Sequence, residues 1–236
     1  MANILLIHGA AHGAWCWRDV IPRLGDLGHT VRAIDLPSHG QDPTPYSQVT
    51  LDSYADAILD ALDEPAVVVA HSMGGYPATL AAERAPDLFQ RLIYLCAYVP
   101  APGLSLAERR MQAPRQPLLP AVRMTKDRKG WSADPALAPG IFYQDCPPET
   151  VAFALERLSI QATQPTSVPV TTGENYARVP RSYIRCMNDG TIPPEFQVTM
   201  TADWPLDSVH EMQCGHSPFF ADPAGLSALI DTILQN

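Results

Sequence analysis

Ser72, Asp189 and His216 are three residues of this 236-residue chain whose types and order suit acyl transfer. A serine hydroxyl is a poor nucleophile near neutral pH. It needs a base within hydrogen-bond reach and a third group that orients the base. Ser72 lies in Val67-Val68-Val69-Ala70-His71-Ser72-Met73-Gly74-Gly75. Three consecutive β-branched residues read as a strand buried on both faces. The Ala- and Leu-rich run Tyr76 to Arg84 reads as a helix. Strand, sharp turn and helix, with serine at the apex, is the context that exposes a nucleophile on a strained turn. The positions two before and two after it must be small, and they hold Ala70 and Gly74. Alanine departs from the usual G-x-S-x-G by one methyl group, which the requirement for smallness tolerates. A Ser-Gly turn without chemistry is the plain alternative.

Asp189 and His216 each follow a later strand, Arg181–Cys186 and Ser208–Met212. With Ser72 they fall at the carboxyl ends of parallel strands, where open α/β sheets place their sites. Among the seven histidines, His216 is singled out by its loop before the terminal helix and by the preceding glycine. His29 falls in a helix-to-strand turn, and His210 inside a strand. His71 is expected to point away from the elbow, and His8 and His12 to shape the first loop through hydrogen bonds. Asp35, Asp203 and Asp207 compete with Asp189. Asp35 belongs to the other half of the sheet, whereas Asp203 and Asp207 precede the last strand. An Asx turn with Gly190 is the structural alternative for Asp189.

The elements that must position these residues alternate. Ile4–Ile7 reads as a strand running into His8-Gly9-Ala10-Ala11-His12-Gly13-Ala14-Trp15, whose small residues allow close backbone approach. Its free N–H groups suit an oxyanion hole, with Ala10 and Met73 as donors. A helix is expected over Trp15 to Leu27, closed by Gly28. Thr30–Ile34 reads as a strand, Leu51 to Leu62 as an amphipathic helix and Leu92–Ala97 as a strand. This alternation implies βαβ units and a mostly parallel sheet flanked by helices. From Leu104 to Val179 the pattern breaks into prolines, basic residues and short helical pieces such as Glu149 to Ile160. The reading is a core over 1–103 and 180–236, with an inserted cap over 104–179, forming a single domain. Pro193 and Pro194 open one further helix, and Asp222 caps the last, Pro223–Leu234.

Composition narrows the function classes. Hydrophobic residues make up 46% of the chain, enough for one large α/β core. A net charge of −9 argues against nucleic acid. No apolar run reaches the length of a membrane span, and the start carries no basic leader. Five cysteines without a C-x-x-C pair read as reduced thiols in a cytoplasmic protein, and give no zinc or redox signature.

The segments HGAAHGAWCW, AHSMGG, CMNDGTIPPEFQ and GHSPFF resemble the plant methylesterase and hydroxynitrile lyase family of the α/β-hydrolase superfamily, with its bacterial carboxylesterase relatives. The likeness covers most of the chain and is weak across the cap. It implies the α/β-hydrolase fold and the chain order Ser, Asp, His. Ser72, Asp189 and His216 match the family's triad, and Ala10 and Met73 its oxyanion donors. It further implies small carboxylic esters, often methyl esters, no cofactor and no metal, and a homodimer. Phe142, Tyr143, Phe153 and Leu158 of the cap either line the pocket or form the cap's own core. The family's lyases carry threonine after the first histidine of the first loop and lysine after the catalytic histidine. Gly9 and Ser217 stand there, so this chain resembles the esterases. The alternatives are a cofactor-free lyase and a ligand-binding homologue without catalysis. The pair Gly9→Thr with Ser217→Lys is expected to shift the protein toward cyanohydrin cleavage.

Overall fold

A computed structural model of the chain describes residues 1–235. Six strands form one parallel sheet: β1 (Asn3–Ile7), β2 (Thr30–Ile34), β3 (Ala66–His71), β4 (Phe89–Leu95), β8 (Arg181–Cys186) and β9 (Val209–Met212). Their order is β2-β1-β3-β4-β8-β9, and every pairing is parallel. Three strands form a separate antiparallel sheet: β5 (Val122–Met124), β6 (Gly130–Ala133) and β7 (Gln161–Ala162). The helices are α1 (Ile21–Asp26), α2 (Leu51–Asp60), α3 (Gly75–Arg84), α4 (Leu106–Met111), α5 (Ala138–Phe142), α6 (Pro148–Leu155), α7 (Gln164–Ser167), α8 (Glu174–Ala177), α9 (Pro194–Met200), α10 (Pro218–Ala221) and α11 (Pro223–Leu234).

Strand periodicity divides the core in two. Leu5, Ile7, Val68, Ala70, Leu92 and Tyr94 join one buried cluster with α2 and α3. Their alternates Ile4, Leu6, Val67, Val69, Ile93 and Leu95 join a second cluster with Trp17, Leu24 and α11. Successive side chains of a strand point to opposite faces, so a sheet covered by helices on both sides needs unbroken apolar strands. Every residue of β3 is accordingly buried.

Several local readings hold. Gly28 ends α1 with φ +90°, the left-handed conformation that glycine adopts without strain. The Asp222 side chain caps α11 by accepting from the Gly225 N–H. Others need correction. Trp15 to Leu27 is not one helix: a 3₁₀ turn over Ala14–Trp17 precedes α1. Pro22 explains the break, because proline lacks an N–H and fits only the first turn of a helix. Strand β4 begins at Phe89 and stops before Cys96, whose φ is +34°. Helix α6 ends at Leu155, five residues short of the expected end.

The 104–179 segment is not a helical insertion alone, since it carries the whole β5-β6-β7 sheet. Strands of two to four residues are too short for a period-2 pattern to register. The hairpin between β5 and β6 turns at Arg128, which has φ +59°. Among the described residues no helix is long and apolar enough to cross a membrane.

Candidate active site

The turn between β3 and α3 is strained where chemistry is expected. Ser72 has φ +53°, an uncommon conformation for a residue with a side chain. Close packing around the turn requires the adjacent glycines. A Cβ on Gly74 would sit 2.8 Å from the His8 carbonyl oxygen, and one on Gly75 would sit 2.3 Å from that of Tyr98. The Tyr98 N–H in turn donates to the Ser72 carbonyl at 3.0 Å.

The loops after β8 and β9 bring the other two residues to this turn. The Ser72 hydroxyl donates to His216 Nε2 at 3.0 Å, and His216 Nδ1–H donates to Asp189 Oδ2 at 2.8 Å. All three side chains are buried. Asp189 is fixed from four directions. Its Oδ1 accepts the N–H groups of Thr191 (2.7 Å) and Ile192 (2.8 Å), while Oδ2 also accepts Gln197 Nε2 at 2.9 Å. A buried carboxylate requires such donors to offset the loss of hydration. The Thr191 contact is the Asx turn weighed as a rival role, so the two readings of Asp189 coexist. The competing carboxylates lie elsewhere. Asp35 accepts the Ala14 and Gln41 N–H groups and staples two early loops. Asp207 is exposed beside the amino end of β9.

One dipeptide braces both loops. Gln144 Nε2 donates to the Asn188 carbonyl, and Asp145 accepts the Gly215 N–H. A Cβ on Gly215 would lie 2.3 Å from Gln144 Nε2, which accounts for the glycine before His216.

Two residues that support His216 and Asp189 escape sequence reasoning. His71 does not point away: its Nε2–H donates to the His216 carbonyl at 2.8 Å, and the two rings lie 4.7 Å apart. Gln197 is wholly buried on α9. Besides Asp189, it bonds the Cys186 N–H and the Ile192 carbonyl. Its signal was a lone amide on an otherwise apolar helix face, which alone indicates no partner. His71, Cys96 and His216 also bring metal-ligating atom types within 4.8 Å of one another. The His216 nitrogens and His71 Nε2 are, however, already held by hydrogen bonds.

The first loop behaves as its sequence suggests. His8 Nδ1–H donates to the Gly9 carbonyl and Nε2 accepts the Leu36 N–H. His12 Nδ1–H donates to the Ala10 carbonyl, and Nε2 accepts the Tyr143 hydroxyl at 2.7 Å. Each ring has one nitrogen donating and one accepting, so both are neutral imidazoles. Burial drives the His12 pKa down to about 4, and it pushes those of His8 and His71 well below the ordinary range. An unfolded histidine titrates near ~6.5. The unfolded chain therefore binds more protons once the pH drops below that value. The stability these rings contribute is fully present above pH ~6.5 and is lost as the pH falls through the folded values. For His12 the window runs down to about pH 4, with a contribution on the order of 3 kcal/mol. Urea midpoints are expected to stay level from pH 7.5 to about 6.5 and to fall from there to pH 4.5, with a shallower fall in His12→Gln. A midpoint independent of pH over that window contradicts the neutral-imidazole reading.

A cavity of about 270 Å³ opens beside Ser72 and His216. Ala10 and Met73 border it, and among the described residues no acceptor takes the Ala10 N–H. Of the four residues of the 104–179 segment that are candidates for the pocket, Phe142 lines it. Tyr143, Phe153 and Leu158 do not. Tyr143 bonds His12, Phe153 lies between the Arg18 and Arg157 guanidinium groups, and Leu158 packs against the second core cluster. The rest of the wall from this segment includes Leu106, Arg110, Leu118, Met124 and Trp131.

Comparison with known proteins agrees with this architecture. Methylesterase 4 of Arabidopsis thaliana is 30% identical over 248 residues, spanning 97% of this chain and 94% of that protein. Methyl jasmonate esterase 1 of Vitis vinifera is 30% identical over 253 residues, spanning 99% and 97%. The crystal structure of a pyrethroid hydrolase from Sphingobium faniae JZ-2 superimposes with a TM-score of 0.88 at 27% identity, covering 99% of this chain and 97% of that one. The pattern of the alpha/beta hydrolase family matches residues 4–229. A parallel six-stranded sheet with a strained serine turn after its third strand, matched over nearly the full length, shows that the chain belongs to the alpha/beta hydrolase family.

Proposed function

We propose that the protein is a serine carboxylic ester hydrolase acting on small esters, methyl esters among them. The observation that carries this reading is the unbroken hydrogen-bond chain from Ser72 Oγ through His216 to Asp189, opening on the cavity. His216 Nε2 takes the serine proton as Oγ attacks the ester carbonyl. Asp189 holds the imidazole in the tautomer that leaves Nε2 free to accept, and it stabilises the imidazolium that forms. The Ala10 and Met73 N–H groups receive the developing oxyanion, a contribution of about 3–4 kcal/mol per donor in comparable sites. His216 returns the proton to the departing alcohol. It then activates the water that releases the acid from the acyl-enzyme. In this reading the 104–179 segment is a cap whose inner residues close the cavity over the nucleophile. The names of the relatives, methylesterases and a pyrethroid hydrolase, support ester substrates of differing size.

Cyanohydrin cleavage fits less well, and the packing around Gly9 and Ser217 argues against the simple conversion expected from sequence. A Cβ on Gly9 would fall 2.7 Å from His71 Nδ1 and 2.8 Å from Ser72 Cβ. Ser217 is fully buried, and its hydroxyl has no partner among the described residues. Gly9→Thr therefore crowds the nucleophile, and Ser217→Lys puts a charged side chain at a buried position whose native hydroxyl has no partner. The double substitution is now expected to inactivate the protein. The test is a panel of short methyl and p-nitrophenyl esters run beside mandelonitrile. Ester hydrolysis with little benzaldehyde release above spontaneous decay is the expected result. Mandelonitrile cleavage at a comparable rate overturns the assignment.

A further inference from the structure

Among the described residues, the cavity beside Ser72 is bordered by one arginine that no protein group pairs with. Arg110, on the last turn of α4, borders the cavity together with Ser72, His216 and Tyr98. Among the described residues its guanidinium donates no hydrogen bond and joins no ion pair, and its Nε is shut off from solvent without a partner. The neighbouring Arg109 shows the contrast: it donates to the Val99 carbonyl and to Gln112, and lies over the Phe196 ring. The nearby carboxylates are committed elsewhere. Glu108 accepts the Ser105 N–H and hydroxyl, and Glu195 pairs with Arg115. Among the described residues no acidic side chain lines the cavity.

Arg110 is half-buried, and its Nε is left without a partner unless a ligand supplies one. A sealed, unpaired donor loses its hydration without compensation, and more so when charged. The Arg110 main chain is anchored, since its carbonyl accepts both the Ala113 N–H and Gln116 Nε2. Its charge also reaches the Tyr98 phenol, opposing the upward push of burial there. Apart from the His71 and His216 imidazoles, the remaining wall is apolar or carries hydroxyls, including Thr163, Thr166 and Ser167. A planar guanidinium with free donors favours a carboxylate, which it can grip through two parallel hydrogen bonds. The chain's net charge of −9 makes this local cation stand out from its surroundings. With a volume of about 270 Å³, the cavity falls just below the ~300–1,000 Å³ usual for ligand pockets, so its occupant is small.

We infer that Arg110 forms an anion subsite, and that the preferred substrates are small esters carrying a free carboxylate remote from the scissile bond, as in half-esters of dicarboxylic acids. This inference rests on the esterase reading for turnover, but binding tests it separately. The first arm measures kcat/KM for monomethyl glutarate, adipate and pimelate against methyl pentanoate, hexanoate and heptanoate. The wild type is expected to prefer the half-ester by about 10- to 100-fold at the best chain length. Arg110→Met collapses that ratio toward one, and Arg110→Lys, which keeps the charge but not the fork, retains part of it. In the second arm the same half-ester is titrated calorimetrically into Ser72→Ala protein, with and without Arg110→Met. Binding that Arg110→Met removes supports the subsite even if no ester is turned over, in which case only the catalytic reading fails. Equal or better turnover of the neutral esters by the wild type overturns the inference. So does half-ester binding that Arg110→Met leaves unchanged.

Discussion

Ser72→Ala is expected to lower ester hydrolysis by at least about a thousandfold while leaving the fold intact. The hydroxyl is the atom that would attack, and it meets His216 Nε2 at 3.0 Å. Alanine removes it without adding volume to a turn whose neighbours already touch. The backbone conformation at φ +53° is maintained by the surrounding packing, including the Tyr98 N–H to Ser72 carbonyl bond, so the turn does not depend on the hydroxyl. The measurement is kcat/KM on p-nitrophenyl acetate together with the thermal midpoint. A variant that keeps more than a thousandth of the wild-type rate removes Ser72 from the nucleophile role.

Asp189→Asn is expected to cost nearly as much, about 10³–10⁴-fold in kcat, whereas Asp207→Asn changes kcat by less than about twofold. The direction follows from the four donors around the carboxylate. Oδ1 accepts two backbone N–H groups, which cannot turn away, so the oxygen of an asparagine must occupy that position. Its NH₂ then faces the Gln197 amide and His216. The imidazole responds by accepting at Nδ1 and carrying its proton on Nε2, which can no longer take the proton of Ser72. Asp207 is exposed at the opposite end of the sheet and touches none of this. Equal losses in the two variants overturn the choice of Asp189.

What the sequence revealed follows how locally each feature is encoded. The serine turn was legible because Val67–Val69, the small neighbours and the following helix lie within eighteen residues of one another. The sites of Asp189 and His216 were legible from the alternation of strands, since each lies just beyond a strand end. Contacts made across the fold were not. His71 shares the elbow with Ser72, yet its role depends on a carbonyl 145 positions away in sequence. Gln197 supports Asp189 only because α9 folds back beneath the loop after β8. The β5-β6-β7 sheet was hidden by strands too short for periodicity. The break in the first helix, in contrast, is encoded locally by Pro22. The aromatic residues of the 104–179 segment look alike in sequence; packing sends Phe142 to the cavity, while Tyr143 and Phe153 are held elsewhere.

We propose that Ser72 becomes covalently acylated during turnover. A fluorophosphonate, which reacts with activated serines to give a stable adduct, tests it most directly. Intact-mass measurement is expected to show one adduct per chain, and peptide mapping to place it on Ser72. Hydrolysis should fall in step with labelling, and Ser72→Ala should take up none. Hydrolysis that persists in fully labelled protein, or an inactivating adduct on another residue with Ser72 unmodified, contradicts the acyl-enzyme mechanism.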